Sequence, residues 1–433
     1  MENKNKISRR KFIAAGAAAT ATTISGFPFV RTGAQSVKPL KIGVIGCGGR
    51  GTGAADNAIE ASKGINLIAL ADPFKDRVER SLKALTNPKR RGGPLPGVEV
   101  KEDHIFTGMD CHEKLLETDI DYVILAGPPG TRPLHFEAAI NAGKHVFMEK
   151  PVGTDPVGIR KILKTAKKAK EKRLSVVVGF DNRHSLSTME IVKKIHDGWI
   201  GDVVAGQSYY NTGTLWHRGE DPSWSEMEYQ CRNWYYYCWL SGDHIVEQHV
   251  HGIDVCNWIM GGYPVKALAI GGRQVRTETK WGNIYDHFTV DYEYENGAHI
   301  MSMCRQLANS DGKRGNFFDG TKGRSSVGFV IGNVGGTISG ARKFQSVKDE
   351  VTPKVYEHWE LIESIRKGET MSQAEFGAYS TLTAIMGREA AYTGKVITWE
   401  DILNSDLNLF PKKFELGRAP KRPVAMPGQS RPK

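Results

Sequence analysis

Leu40-Lys41-Ile42-Gly43-Val44-Ile45-Gly46-Cys47-Gly48-Gly49-Arg50-Gly51 is the stretch from which the fold is read. Residues 40–45 form an apolar, partly β-branched run with the character of a buried strand. Gly46, Gly48 and Gly51 follow at once in the spacing G-x-G-x-x-G. A stretch with Ala54, Ala55, Ala58 and Ile59 reads as a helix, and Asn66–Ala71 as a second strand ending in Asp72. Strand, glycine turn, helix, strand and acid in this order make a dinucleotide-binding unit. Gly46 permits the tight turn, Gly48 lets backbone approach a pyrophosphate, and Gly51 lets helix and strand pack closely. Gly49 and Arg50 open the helix, whose free N–H groups face the phosphates. Asp72 is placed to accept hydrogen bonds from ribose hydroxyls and to repel a 2′-phosphate. NAD is therefore favoured over NADP, although Lys75 and Arg77 temper that preference.

The alternation continues downstream. Tyr122–Ala126 is a strand running into Gly127-Pro128-Pro129, followed by a helix with His135, Phe136 and Ile140. Lys144–Met148 is a strand ending in Glu149-Lys150-Pro151. A basic helix lies around residues 156–171, and Leu174–Val178 is a strand ending in Gly179-Phe180-Asp181-Asn182-Arg183. Such alternation predicts an α/β protein with a doubly wound parallel sheet, binding ligands beyond the strands' C-terminal ends.

These motifs and their order resemble the Gfo/Idh/MocA family, which includes glucose–fructose oxidoreductase and inositol dehydrogenase. The similarity runs over roughly residues 38–400. It implies a Rossmann domain over 38–182 and a substrate and oligomerisation α+β domain over 183–400, with an open, mostly antiparallel sheet. The family's Glu-Lys-Pro lysine falls on Lys150. Its helical histidine falls on His251, in Ser241-Gly242-Asp243-His244-Ile245-Val246-Glu247-Gln248-His249-Val250-His251, with Glu247 where an Asp is usual. The resemblance makes Lys150, His251 and Glu247 the catalytic candidates. Pro128, His135, Glu149, Lys150 and Arg183 join the glycine turn and Asp72 as candidate cofactor contacts.

The chemistry suits these residue types. Taking hydride from an alcohol carbon also requires a base for the hydroxyl proton and a cation for the developing alkoxide. On a continuous helix, Glu247 and His251 at i and i+4 share a face, so the carboxylate would orient the imidazole. His244, Glu247 and His251 on one face also have the donor types of a metal site, but no metal is expected. Tyr209–Trp239 is rich in aromatic residues, open to reading as a carbohydrate pocket or as core. Within it His217 and Arg232 are substrate-contact candidates, with Lys150 and His251.

The net charge of +11 is concentrated at the ends, with +6 in residues 1–38 and +6 in 412–433. The remainder is nearly neutral and offers no nucleic-acid face. Ser8-Arg9-Arg10-Lys11-Phe12 before a weakly apolar run resembles a twin-arginine export signal over residues 1–35. It implies a periplasmic protein with no stable membrane anchor after processing. The six cysteines form no C-x-x-C pair and are expected as free, mostly buried thiols. Gly312–Gly340 reads as loops with one short strand. Residues 355–367 and 375–393 read as amphipathic helices, and the basic, Pro-rich tail 411–433 as extended, packed on a neighbouring subunit or free. The resemblance implies a homodimer or homotetramer. The expected activity is NAD-dependent oxidation of a secondary hydroxyl on a sugar, glycoside or cyclic polyol, with tightly bound NAD. The rival is a glycosidase or lyase that oxidises transiently with no net redox change.

Overall fold

The computed structural model describes residues 38–90, 92–330 and 333–429. The twin-arginine segment lies outside the described residues. β1 (Leu40–Ile45), β2 (Ile65–Ala71), β3 (Ile105–Phe106), β4 (Tyr122–Leu125), β5 (His145–Met148) and β6 (Val176–Val178) form one parallel sheet in the order β3-β2-β1-β4-β5-β6. This is the expected doubly wound sheet, and strand order reverses between β1 and β4. That reversal opens a crevice beyond the strands' C-terminal ends.

Ile42 and Val44 of β1 share a core with Ala54, Ala55 and Ala58 of the helix Gly49–Ala61. Alanine on this face lets the helix lie close to the sheet. The helix Pro353–Lys367 returns from far downstream to the same core, contributing Val355, Leu361 and Ile362 and packing against Gly49–Ala61. The nucleotide-binding layer is therefore completed by a segment outside the expected 38–182 boundary.

The second sheet contains β7 (Val203–Thr212), β8 (Lys266–Gly272), β9 (His287–Glu293), β10 (His299–Gln306), β11 (Lys313–Gly320), β12 (Gly323–Val330), β13 (Asn333–Gly340), β14 (Phe344–Gln345) and β15 (Ile397–Thr398). Its order is β14-β13-β12-β11-β7-β10-β9-β8-β15. Pairing is antiparallel except between β7 and β10. The buried helix Ala374–Thr393 packs on β8 and β9 and on the helix Pro156–Glu171, joining the two halves.

One expectation fails here. The stretch 312–340 is three paired eight-residue strands, β11 to β13, rather than loops. Its glycines mark close approach: a Cβ at Gly336 would lie 1.8 Å from Ser326 O, and one at Gly320 2.2 Å from Ile200 O. Glycine normally argues against a strand, but here tertiary crowding demands it. The tail, as far as residue 429, packs on its own chain. Met227 N donates to Gly417 O, Gln230 Nε2 to Pro420 O, Tyr285 Oη to Ala425 O and Gly428 N to Thr393 O. All six cysteines are buried, and none forms a disulfide.

Candidate active site

The glycine turn has two kinds of glycine. Gly46 sits at φ +99°, and a Cβ there would lie 2.4 Å from Gly127 N; a Cβ on Gly51 would lie 1.8 Å from Gly46 O. These two hold the turn against β4. Gly49 has nothing within 4 Å of its Cβ position, and Gly48 only the Arg77 guanidinium at 3.7 Å. Their open side leaves room for a diphosphate against the backbone. Gly48 caps the helix with no side-chain hydrogen bond, so the first-turn N–H groups remain available to an anion. Asp72 accepts from Cys47 N at 2.9 Å and from Phe74 N at 3.0 Å. It therefore braces the turn as well as standing at the ribose position. Burial raises its pKa above the ordinary carboxylate value. The residues present fit a dinucleotide.

Beyond the ends of β4, β5 and β6 lies a cavity of about 270 Å³, lined by Arg50, Lys150, Asp181, His251 and Glu357 among others. Lys150 follows β5 and is joined to Pro151 by a cis peptide. Its ammonium donates to the main-chain oxygen of Glu247 at 2.6 Å and lies 3.3 Å from Glu247 Oε1. His251 enters from the helix Val250–Met260. Its Nδ1 lies 3.3 Å from Oδ1 of Asp181, in the turn after β6.

Glu247, expected beside His251, meets the Lys150 ammonium. A break at Gln248–His249 separates the short helix His244–Glu247 from Val250–Met260, so i and i+4 no longer share a face. Glu247 turns to Lys150, and Asp181 takes its place beside the imidazole. The same break separates the proposed metal face: His244 turns to Asp243 at 2.9 Å. Among the described residues no three His, Cys, Asp or Glu side chains converge on a metal position.

Burial, reinforced by Lys150, holds His251 well below its ordinary pKa, so the imidazole is neutral at neutral pH. Burial raises Asp181, while Lys354, Lys150 and Arg50 pull it down. Arg50 bridges two acids: Nε donates to Glu149 and Nη2 lies 3.4 Å from Glu357. Burial opposes the charge on Glu149, but Arg50 outweighs it and the pKa falls. Burial lifts Glu357 well above the carboxylate range despite Arg50, with Glu149 and Asp181 adding to the rise.

Other candidates lie elsewhere. Arg183 makes two bonds to Asp254, at 2.8 and 2.9 Å, between the rings of Trp258 and Phe376. This buried brace holds it outside the lining of the cavity. Arg232 bonds Glu228 at 2.8 Å and Asp76 at 2.9 Å and stacks on Phe74, docking the second domain against the nucleotide domain away from the cavity. His217 packs against Tyr236 and Trp281, also away from the cavity. Its neighbours show why: most of the aromatic stretch is core, and only Tyr210 and Trp234 reach the cavity. His135 is buried beneath Gly127 with its ring against His112, and Pro129 rather than Pro128 lines the cavity.

Sequence reasoning missed Asp181, Arg132, Lys354 and Glu357. Buried Arg132 holds the carbonyls of Leu125 and Gly127 at 2.7 and 2.9 Å, shaping the β4 turn. Asp181 stands at a strand's C-terminal end, a signal open to use. Lys354 and Glu357 carried no such signal, because their helix is distant in sequence.

Comparison with known proteins agrees with this geometry. Residues 40–179 match the description "Oxidoreductase family, NAD-binding Rossmann fold". Residues 188–326 match the "GFO/IDH/MocA C-terminal domain", and together the two matches cover well over half the chain. An inositol 2-dehydrogenase of Rhizobium meliloti is 27% identical over 62% of this chain and 69% of its own length. A glycosyl hydrolase family 109 protein of Saccharopolyspora erythraea is 27% identical over 48% of this chain and 46% of its own. The structure of aldose-aldose oxidoreductase from Caulobacter crescentus superposes with a TM-score of 0.65 at 16% identity, covering 83% of this chain and 100% of that one. Scyllo-inositol dehydrogenase from Lactobacillus casei, with NAD(H) and scyllo-inositol bound, gives 0.62 at 22% identity, covering 83% and 99%. Glycine turn, lysine after β5, histidine across the cavity and both matched domains lead to one assignment: the chain belongs to the Gfo/Idh/MocA family of NAD-binding oxidoreductases.

Proposed function

We propose that this enzyme oxidises a secondary hydroxyl of a sugar, glycoside or cyclic polyol at the cavity holding Lys150 and His251. The observation that carries the reading is the meeting of these two side chains beyond the ends of β5 and β6. Gly48, Gly49 and the start of the helix Gly49–Ala61 would hold the NAD diphosphate, and Asp72 the adenosine ribose. Bound NAD supplies the hydride acceptor. His251, neutral through burial, takes the hydroxyl proton at Nε2, with the Asp181 carboxylate beside Nδ1 to favour the imidazolium that forms. Lys150, tethered to Glu247, steadies the developing oxyanion. Tyr210 and Trp234 give the sugar apolar wall.

The reading is tested with purified protein, NAD and a panel of sugars, glycosides and inositols, following absorbance at 340 nm. NADH formed with one substrate class supports it; failure of both NAD and NADP to bind overturns it. The likeness to a glycosyl hydrolase family 109 protein favours a second reading, transient oxidation with no net redox change. Sugar released from a glycoside without accumulating NADH would select that reading.

Two further parts of the proposal concern setting. Residues 1–35 direct twin-arginine export to the periplasm, and replacing Arg9 and Arg10 with Lys should keep the protein in the cytoplasm. The protein is a homodimer or homotetramer paired through the outer face of the nine-stranded sheet. Support comes from Leu268, Asp291, Met301, Gln207 and Phe317, which stand in one row of paired residues across five strands. Leu268, Met301 and Phe317 in that row, and Ile270 beside it, are exposed.

A further inference from the structure

Two direct ion pairs face the cavity, Lys150 with Glu247 and Arg50 with Glu149, while Asp181, beside the neutral His251, has Lys354 as the strongest charge acting on it. Lys354 lines the same cavity half-buried, and among the described residues it forms no hydrogen bond or ion pair. It is the second residue of the helix Pro353–Lys367, whose N-cap Thr352 makes no side-chain cap and whose first turn holds no acid. A cation at that end opposes the helix dipole, so ammonium and uncapped N–H groups both favour a negative ligand.

One turn on, Glu357 lines the cavity too. Its side chain is 1% exposed, and its Oε2 has no hydrogen-bond partner. A buried polar atom left unmade costs free energy until something bonds it. Burial and the neighbouring Glu149 and Asp181 push this carboxyl's pKa up, towards the protonated form that can donate. A sugar hydroxyl would satisfy Oε2 but would leave the Lys354 ammonium without a direct ion-pair partner. A carboxylate satisfies both, taking one bond from Nζ and one from the Oε2 hydroxyl. The cavity, at about 270 Å³, suits a single sugar ring.

We infer that the substrate is an anionic monosaccharide, a uronate or aldonate, whose carboxylate is held between the Lys354 ammonium and the Glu357 carboxyl group. This rests on the dehydrogenase reading above and names its substrate class. The test compares hexuronates and aldonates with their neutral parents as substrates for the wild type, Lys354→Met and Glu357→Gln, with NADH binding followed by fluorescence.

The expected result is a kcat/KM at least tenfold higher for an acid than for its neutral parent in the wild type. Lys354→Met should raise KM for the acid tenfold or more and collapse that ratio. Glu357→Gln, still a donor, should keep most of it. A wild type that prefers neutral sugars overturns the inference and leaves the dehydrogenase reading standing. An equal loss of NADH affinity and of every substrate in Lys354→Met also overturns it, assigning the anion to the cofactor phosphates. Absence of both NADH binding and hydride transfer from any sugar overturns the dehydrogenase reading itself.

Discussion

His251 Nδ1 lies 3.3 Å from Oδ1 of Asp181, an ion-pair distance without hydrogen-bond geometry, so the imidazole of one domain stands beside a carboxylate of the other. The pair forms only when the turn after β6 and the helix Val250–Met260 meet. Asp181→Asn should therefore lower kcat about 10- to 100-fold while NADH binding persists. His251→Ala should cost about 10²–10⁴-fold. Stopped-flow hydride transfer and NADH fluorescence separate the two effects, and an Asp181→Asn enzyme of full rate would remove the carboxylate from the mechanism.

The acid limb of kcat/KM should reflect the same burial. His251 is held below its ordinary value of 6.5, so the neutral base persists as pH falls through 6.5. The acid limb of the profile should therefore lie below the ordinary histidine value. A limb centred above 6.5 would assign the base elsewhere.

His358 offers a stability test. It is buried against Phe147, neither ring nitrogen has a partner, and burial holds its pKa well below 6.5. Below pH 6.5 the unfolded chain takes up a proton that the folded chain refuses, so this group removes stability as pH falls. His358→Phe lacks that loss. Its denaturation midpoint should gain on the wild type between about pH 7.5 and about pH 5.5. A constant difference across that range would contradict the linkage.

The glycines should separate by role. Gly51→Ala drives a methyl into Gly46 O and should cost about 1–3 kcal/mol or more in urea unfolding. Gly49→Ala meets nothing in the protein. It should keep stability within about 0.5 kcal/mol yet weaken NADH binding, because its methyl enters the diphosphate's space. Equal effects on stability would contradict the division.

Arg183→Met should destabilise by about 3–5 kcal/mol, because Asp254 is left charged and buried. Its KM for NAD should stay near wild type in the fraction that folds. A selective rise in that KM would restore the cofactor role expected from sequence.

Ile270→Asp places a charge on the exposed apolar face of β8. Light scattering should then report a smaller assembly than the wild type. A monomeric wild type would refute pairing through this face.

The parallel sheet and its glycine turn were legible in the chain because they depend on local patterns, whereas Lys150 and His251 were singled out only by the resemblance of their motifs to the Gfo/Idh/MocA family. Runs of β-branched residues, fixed glycine spacing and strand-end position all act within a few residues. The strands β11–β13 were not legible, since their glycines answer to crowding by Ser326 and Ile200. Nor were the partners within the site. Glu247 and His251 are four residues apart, but a helix break redirected one to Lys150 and left the other to Asp181. Lys354 and Glu357 reached the cavity because their helix packs on Gly49–Ala61, far away in sequence. Sequence alone determined the fold class and the nucleotide turn, because short-range sterics and hydrophobic periodicity dictate them. Tertiary structure decided which charges meet, because pairing energy depends on distances between segments that no local pattern encodes.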